Sequence, residues 1–136
     1  MKKAVKAVFK VLPKKTGKGA KGEISVRLGT AEEIRACNRT YRGRDEVTNV
    51  LSFEQTEPPG PGQPRLLGDI LLCHERLVAE AAEQHKTFEA HLTHLVIHGT
   101  LHLLGFDHER SGEEARRQEA WERRILERMG YGDPYV

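Results

Sequence analysis

Residues 91–105, HLTHLVIHGTLHLLG, set the terms for any fold this chain adopts. Read as a helix, the segment is apolar around most of its circumference, and a helix of that kind belongs in a protein interior. The other elements must therefore pack around it. His94, His98 and His102 nevertheless recur every four residues along it, and five of the chain's seven histidines fall between His91 and His108. Thr87 is placed to cap the start of this helix. Gly105 is placed to end it, because glycine takes the left-handed conformation of a helix C-terminus without steric penalty.

The rest of the chain reads as short strands and amphipathic helices. Val5, Val8, Phe9 and Leu12 share one helical face, with Lys3, Lys6 and Lys10 opposite, which predicts an N-terminal helix docked on a sheet with its lysines outward. A basic loop follows over 14–22. Ile24, Val26 and Leu28 alternate with polar residues as in a half-buried strand. Thr30-Ala31-Glu32-Glu33 has the form of a capping box opening a helix that buries Ile34, Cys37 and Tyr41. Val50–Phe53 predicts a short strand, QTEPPGPGQPR an irregular loop, and Leu66–Cys73 a central strand, with Asp69 expected to be hydrogen-bonded inside the sheet. A helix around Leu77–Ala82 fades near His85, and Ser111-Gly112-Glu113-Glu114 opens a last, charged helix ending before Gly130. Strands and helices without regular βαβ alternation predict an α+β domain, with a small mixed sheet of about three to four strands packed around the central helix.

Length and composition narrow the classes. A chain of 136 residues suits one domain, 1–136, with a single core. No apolar run approaches the roughly 20 residues that span a bilayer. Lys6 and Lys10 interrupt what would be the hydrophobic part of a signal peptide. Cys37 and Cys73 are far apart and form no CxxC, which argues against a disulfide framework or a cysteine-built zinc module and for a reducing, cytoplasmic setting. Charge is uneven: residues 1–30 carry nine basic side chains against the single acid Glu23, so the remainder is net acidic. Such a basic segment meets a polyanion or serves as a solvated face, and charge alone leaves both open.

The chemistry lies in the histidines. Residues four apart on a helix are stacked neighbours, so His98 and His102 can aim at one ion. A left-handed Gly105 turns the chain back and lets His108 approach from another side. H-x-x-x-H-x-x-G-x-x-H thus supplies three imidazole donors beside an open position, as in a catalytic zinc site, whereas structural sites are closed by four ligands. The spacing is metzincin-like, but those proteases carry a general-base glutamate beside the first ligand, where this chain has Gly99. Without it, peptide hydrolysis lacks its acid–base catalyst. Asp107 and Glu109, immediate neighbours of His108, point away and substitute poorly. Gly99 instead leaves room for a bulky phosphate beside the ion. His94 reads as a residue supporting the site through a hydrogen bond, or as a further ligand. His91 reads as supporting or surface, and His74 and His85 as ordinary.

HGTLHLLGFDH at 98–108 resembles the signature of the YbeY family, small bacterial metal-dependent endoribonucleases. TYRGRDEVTNVLSF at 40–53 and LLGDILLC at 66–73 are similar to its two other recurrent blocks, in the same order, and HLTHLVI and MGYGDPY also fit. The family usually opens with a strand ahead of its first helix; here the helix comes almost at once, so the sheet is expected to lack an edge strand. Asn49 stands where Asp is frequent, and Glu54 where Pro is. The resemblance implies one Zn(2+) per chain on His98, His102 and His108, with Arg42 as the catalytic arginine. On sequence alone Arg42 is a surface residue able to pair with Asp45 or Glu46. With a guanidinium fork answering charge on phosphoryl oxygens, the transfer is chemically sound. Arg44, Lys14, Lys15 and Lys18 then become a track for the RNA backbone.

The leading expectation is a single-strand-specific endoribonuclease acting on ribosomal RNA, in 16S rRNA 3′-end maturation and ribosome biogenesis and quality control. By resemblance its partners are the small ribosomal subunit and assembly factors, with no membrane and no nucleotide cofactor. The alternatives are an RNA- or ribosome-binding assembly factor whose metal only staples the fold, and a zinc hydrolase of amide bonds.

Overall fold

The structure, a computed structural model, describes residues 1–12, 22–55, 60–62, 66–106 and 111–135. Its elements follow the order α1 (Lys2–Val11), β1 (Glu23–Gly29), α2 (Ala31–Arg42), β2 (Val50–Glu54), β3 (Leu66–Cys73), α3 (His74–Glu83), α4 (Phe88–Leu103) and α5 (Gly112–Arg128). Among the described residues the sheet has three strands in the order β1-β3-β2, with β3 parallel to β1 and antiparallel to β2. The apolar run of β3 takes the centre, as its hydrophobicity predicts.

Alternation along β3 separates two cores. Ile70 and Leu72 face the larger one with Leu95, Val96, Ile97 and Leu101 of α4, while Leu71 and Cys73 face Ile34 of α2. The central helix is as buried as its composition demands: Val96, Ile97, Thr100 and Leu101 are wholly inaccessible. It packs against α1, α3, α5, β2 and β3. Burial of this order, at roughly 1.5–3 kcal/mol per large apolar side chain, makes α4 the organiser of the fold.

Helix ends follow local chemistry. Thr30 forms the full capping box, its hydroxyl accepting from Glu33 N at 3.1 Å while Glu33 Oε1 accepts from Thr30 N at 3.3 Å. Thr87 and Ser111 accept from Ala90 N and Glu114 N in the same manner. At the other end of α4, Gly105 adopts φ 103°. Its N–H donates to His102 O, and Phe106 N–H donates to Leu101 O, each at 3.1 Å. This paired termination requires a left-handed residue after the cap, which is what Gly105 supplies. The same pattern ends α3, where His85 takes φ 54° in place of glycine.

Three expectations need correction. The principal contacts of α1 are with α4 and α5, not with the sheet, because α4 already covers that face. Helix α2 buries Asn38 beside Ile34, whereas Cys37 is half-buried and Tyr41 is 72% exposed. Asp69 is exposed on β3 and, among the described residues, makes no side-chain hydrogen bond, because α2 leaves its part of the sheet uncovered. The basic loop at 14–22 lies, except for Gly22, outside the described residues, as does most of the proline-rich loop. No described helix is long and apolar enough to cross a membrane.

Candidate active site

Towards its C-terminal end, α4 emerges from the core beside β2 and the end of α2. His98 and His102, one turn apart, line a cleft of about 190 Å³ there, together with Asn38, Arg42, Arg44 and Asn49. The residues that bring Arg42 to this place are local. Helix α2 ends at Arg42, and Gly43 reverses the chain at φ 68°. The guanidinium then reaches the open edge of β2, where Arg42 Nη2 donates to Ser52 O at 3.3 Å. The alternative pairing with Asp45 is not made: Asp45 accepts from Arg35 Nε at 2.8 Å and Nη2 at 3.1 Å. That bidentate pair holds the Asp45 carboxyl below the usual carboxylate range.

Behind the cleft lies a buried polar network. Glu122 of α5 is completely buried, and its two oxygens serve different partners. Glu122 Oε1 lies 2.5 Å from His94 Nε2 and accepts from Tyr135 Oη at 2.6 Å; Glu122 Oε2 lies 3.2 Å from His98 Nδ1. Burial alone pushes this carboxyl up, but the hydrogen bonds from His94, His98 and Tyr135 outweigh it and hold it down at about 2. An ionised carboxylate only accepts, so Glu122 favours a proton on His98 Nδ1, a nitrogen that the Gln118 amide Nε2 also approaches at 3.1 Å. Gln118, also fully buried, donates from Nε2 to His98 O at 3.2 Å. Tyr135 is kept in place by Arg123, whose guanidinium lies 5.1 Å from the ring centre, and its phenol is pushed up by burial and by Glu122.

A second carboxylate braces the entrance. Glu80 of α3 accepts from Asn49 Nδ2 at 3.1 Å and meets His91 Nε2 at 2.8 Å. An aspartate at 49 would set two carboxylates against each other, so Asn49 suits its neighbour. Burial nonetheless lowers the His91 pKa, outweighing the raising effect of Glu80.

The structure therefore brings four predicted site residues, His98, His102, Arg42 and Arg44, to one cleft. His94 lies behind it, joined to His98 through Glu122. His108, Lys14, Lys15 and Lys18 lie outside the described residues, as do Asp107 and Glu109, and among the described residues no three potential ligands gather as a metal site. The donors present do fit one: two imidazoles a turn apart, the first with Nδ1 held by a carboxylate, form the familiar carboxylate–histidine arrangement of metal centres. Gly99 does not provide the expected room for phosphate. It faces the sheet, and a Cβ there would meet Ile70 Cδ1 and Ser52 Oγ at 3.0 Å. Glycine at 99 suits close helix–sheet packing, and any side chain there, a protease's glutamate included, would have to displace these two neighbours.

The family model described as endoribonuclease YbeY matches residues 1–130. The chain belongs to that family. Endoribonuclease YbeY of Magnetococcus marinus is 51% identical over 122 residues, covering 84% of this chain and 83% of the relative. The YbeY protein of Chromohalobacter salexigens is 54% identical over 114 residues, covering 84% and 73%. The solution structure of TM1509 from Thermotoga maritima has a similar fold, with a TM-score of 0.57 at 27% identity over 94% of this chain and 80% of that one.

Within this YbeY chain, sequence reasoning missed Glu122, Gln118 and Tyr135. A signal for the first two existed: Gln118 and Glu122 share a helical stripe with Ile125, at i, i+4 and i+7, so polar residues occupy core positions of α5. Nothing in the sequence points Tyr135 at Glu122.

Proposed function

We propose that this chain is a single-strand-specific, metal-dependent endoribonuclease acting in ribosomal RNA maturation. One zinc ion is held by His98, His102 and His108, and Arg42 engages the scissile phosphodiester. The observation that carries this reading is the convergence of His98, His102 and Arg42 on one cleft in a member of this family. Bound there, zinc would supply the charge that polarises the phosphoryl group and acidifies a water able to serve as nucleophile or base.

The chain's own residues do the remainder. Glu122 and Gln118 hold Nδ1 of His98 and so set the aim of its ring. Arg42, tethered to Ser52 O, presents its remaining donors to phosphoryl oxygens as negative charge develops. Arg44 draws the flanking backbone in, continued by Lys14, Lys15 and Lys18. The single domain 1–136, a cytosolic setting and 16S rRNA 3′-end processing with the small subunit and its assembly factors complete the reading.

A second reading has one observation in its favour. His98 and His102 belong to the helix that organises the core, so a metal there would also brace the fold of an RNA-binding assembly factor. Zinc analysis paired with cleavage of a 16S rRNA 3′ fragment separates the two. Wild type should hold about one zinc per chain and cut the fragment. His108→Ala should lose the metal and the activity. Arg42→Ala should keep the metal and lose roughly 100-fold in rate, the scale for removing one transition-state donor. An Arg42→Ala enzyme as active as wild type, or cleavage surviving without metal, would reject the catalytic reading.

A further inference from the structure

The cleft that holds His98 and His102 is small. At about 190 Å³ it falls below the roughly 300–1,000 Å³ of sites that enclose small organic ligands. It accommodates a phosphodiester but not the bases on either side of it. On the α2 side of β2 lies a second cleft of about 640 Å³, and Arg42 and Ser52 line both, so the two share a wall.

Tyr41 stands at the mouth of the second cleft. It is one of the few large exposed apolar side chains, 72% accessible at the end of a helix where burial was expected. Its ring is set against Phe53 of β2, with centres 5.3 Å apart and planes tilted by 59°. Phe53 packs into the smaller core, so the pair is an exposed ring braced by an anchored one. Asp69 lines the cleft opposite Phe53, and of the two arginines in its lining Arg27 is paired with Glu33 at 2.5 Å while Arg42 stands in the shared wall. Carboxylates repel phosphate but accept hydrogen bonds from the N–H groups of bases.

Resting on the nuclease reading above, we propose that this second cleft is a base-binding subsite. A nucleobase of single-stranded RNA, next to the scissile phosphate, stacks on Tyr41 with its polar edge towards Asp69. Arg42 in the shared wall holds the intervening phosphate. Stacking of this kind tolerates any base and requires that the base be unpaired, which accounts for single-strand selectivity by a physical means. The distribution of charge favours this occupant: phosphate is drawn to Arg42 and Arg44, and the base to the aromatic, acidic side.

The test uses fluorescein-labelled single-stranded RNA decamers, each carrying one abasic nucleotide at a different position. Binding is read by anisotropy in EDTA, and cleavage is read in zinc. Wild type should show one position at which the missing base weakens binding about tenfold. Tyr41→Ala should bind the intact decamer about tenfold more weakly and lose that positional penalty, whereas Tyr41→Trp, which keeps a stacking face, should retain it. Exposure of Tyr41 means that the thermal midpoint should not move. Binding by Tyr41→Ala equal to that of wild type, or a positional penalty that persists in it, would overturn the subsite even if cleavage in zinc is normal. Tyr41-dependent binding with no cleavage in zinc would support the subsite while rejecting the nuclease reading. Failure of wild type to bind any decamer would overturn both.

Discussion

Helix α4 carries two pairs of histidines with different surroundings. His91 and His94 are 3% and 8% exposed, and each faces a glutamate from another helix, Glu80 and Glu122. His98 and His102, on the same helix, line the cleft. Residue type is shared and the spacing is three residues in one pair and four in the other; the larger difference is what lies opposite. Where α3 and α5 close over the helix, imidazoles become packing and hydrogen-bonding groups. Where α4 runs past β2 and the end of α2, imidazoles line the cleft, His98 still touching Glu122 and Gln118 of α5 from behind. The two pairs are also coupled, since one carboxylate, Glu122, touches His94 with one oxygen and His98 with the other.

The contrast can be broken first by substitution within each pair. His102→Ala should abolish zinc binding and reduce RNA cleavage by about a thousandfold or more, as expected when a catalytic metal is lost, with metal analysis and cleavage rates as the measurements. His91→Ala should leave zinc at about one per chain, and should instead destabilise the protein by about 2–3 kcal/mol through a cavity and the loss of one of the two hydrogen-bond partners of Glu80, seen in urea unfolding. If both variants lose zinc equally, the division of the helix is wrong.

Glu122→Ala probes the coupling and should show both effects at once. It strands His94, His98 and Tyr135, costing about 3 kcal/mol in stability, and should weaken zinc by about 10–100-fold in a chelator competition. Tyr135→Phe removes only one donor to the same carboxylate. It should cost about 1 kcal/mol and change zinc affinity by less than Glu122→Ala does.

The smallest effect concerns pH and the buried pair alone. The His91 pKa is lowered in the folded protein, chiefly by burial. The unfolded chain therefore takes up the proton first, so this contribution to stability is full above about pH 6.5 and is lost as pH falls below it. In metal-free protein, His91→Gln should flatten the decline in thermal midpoint between pH 7 and 5. An unchanged slope would assign the decline to other groups.

Much of the architecture was legible because it depends on local rules. Capping at Thr30, Thr87 and Ser111 and termination at Gly105 need only residues within one turn, and the apolar run of β3 needs only hydrophobicity to be central. Expectations failed where neighbours distant in sequence decide. Tyr41 and Asp69 were read as interior residues because nothing nearby says that α2 stops short of that corner of the sheet. Gly99 was read as space for substrate, whereas Ile70 and Ser52 occupy that space.

Alone, the chain's order of residues determined that α4 is a buried helix ending at Gly105, that His98 and His102 share one of its faces, and that the blocks are those of this family. These follow from helical periodicity and from the chemistry of single residues. Only tertiary packing decided that His91 and His94 are enclosed by Glu80 and Glu122, that Arg42 crosses to β2, and that Glu122 and Gln118, from a helix that reads as charged surface, stand behind His98. A side chain's protonation and direction depend on what surrounds it in space, and those surroundings come from parts of the chain that are brought together only by folding.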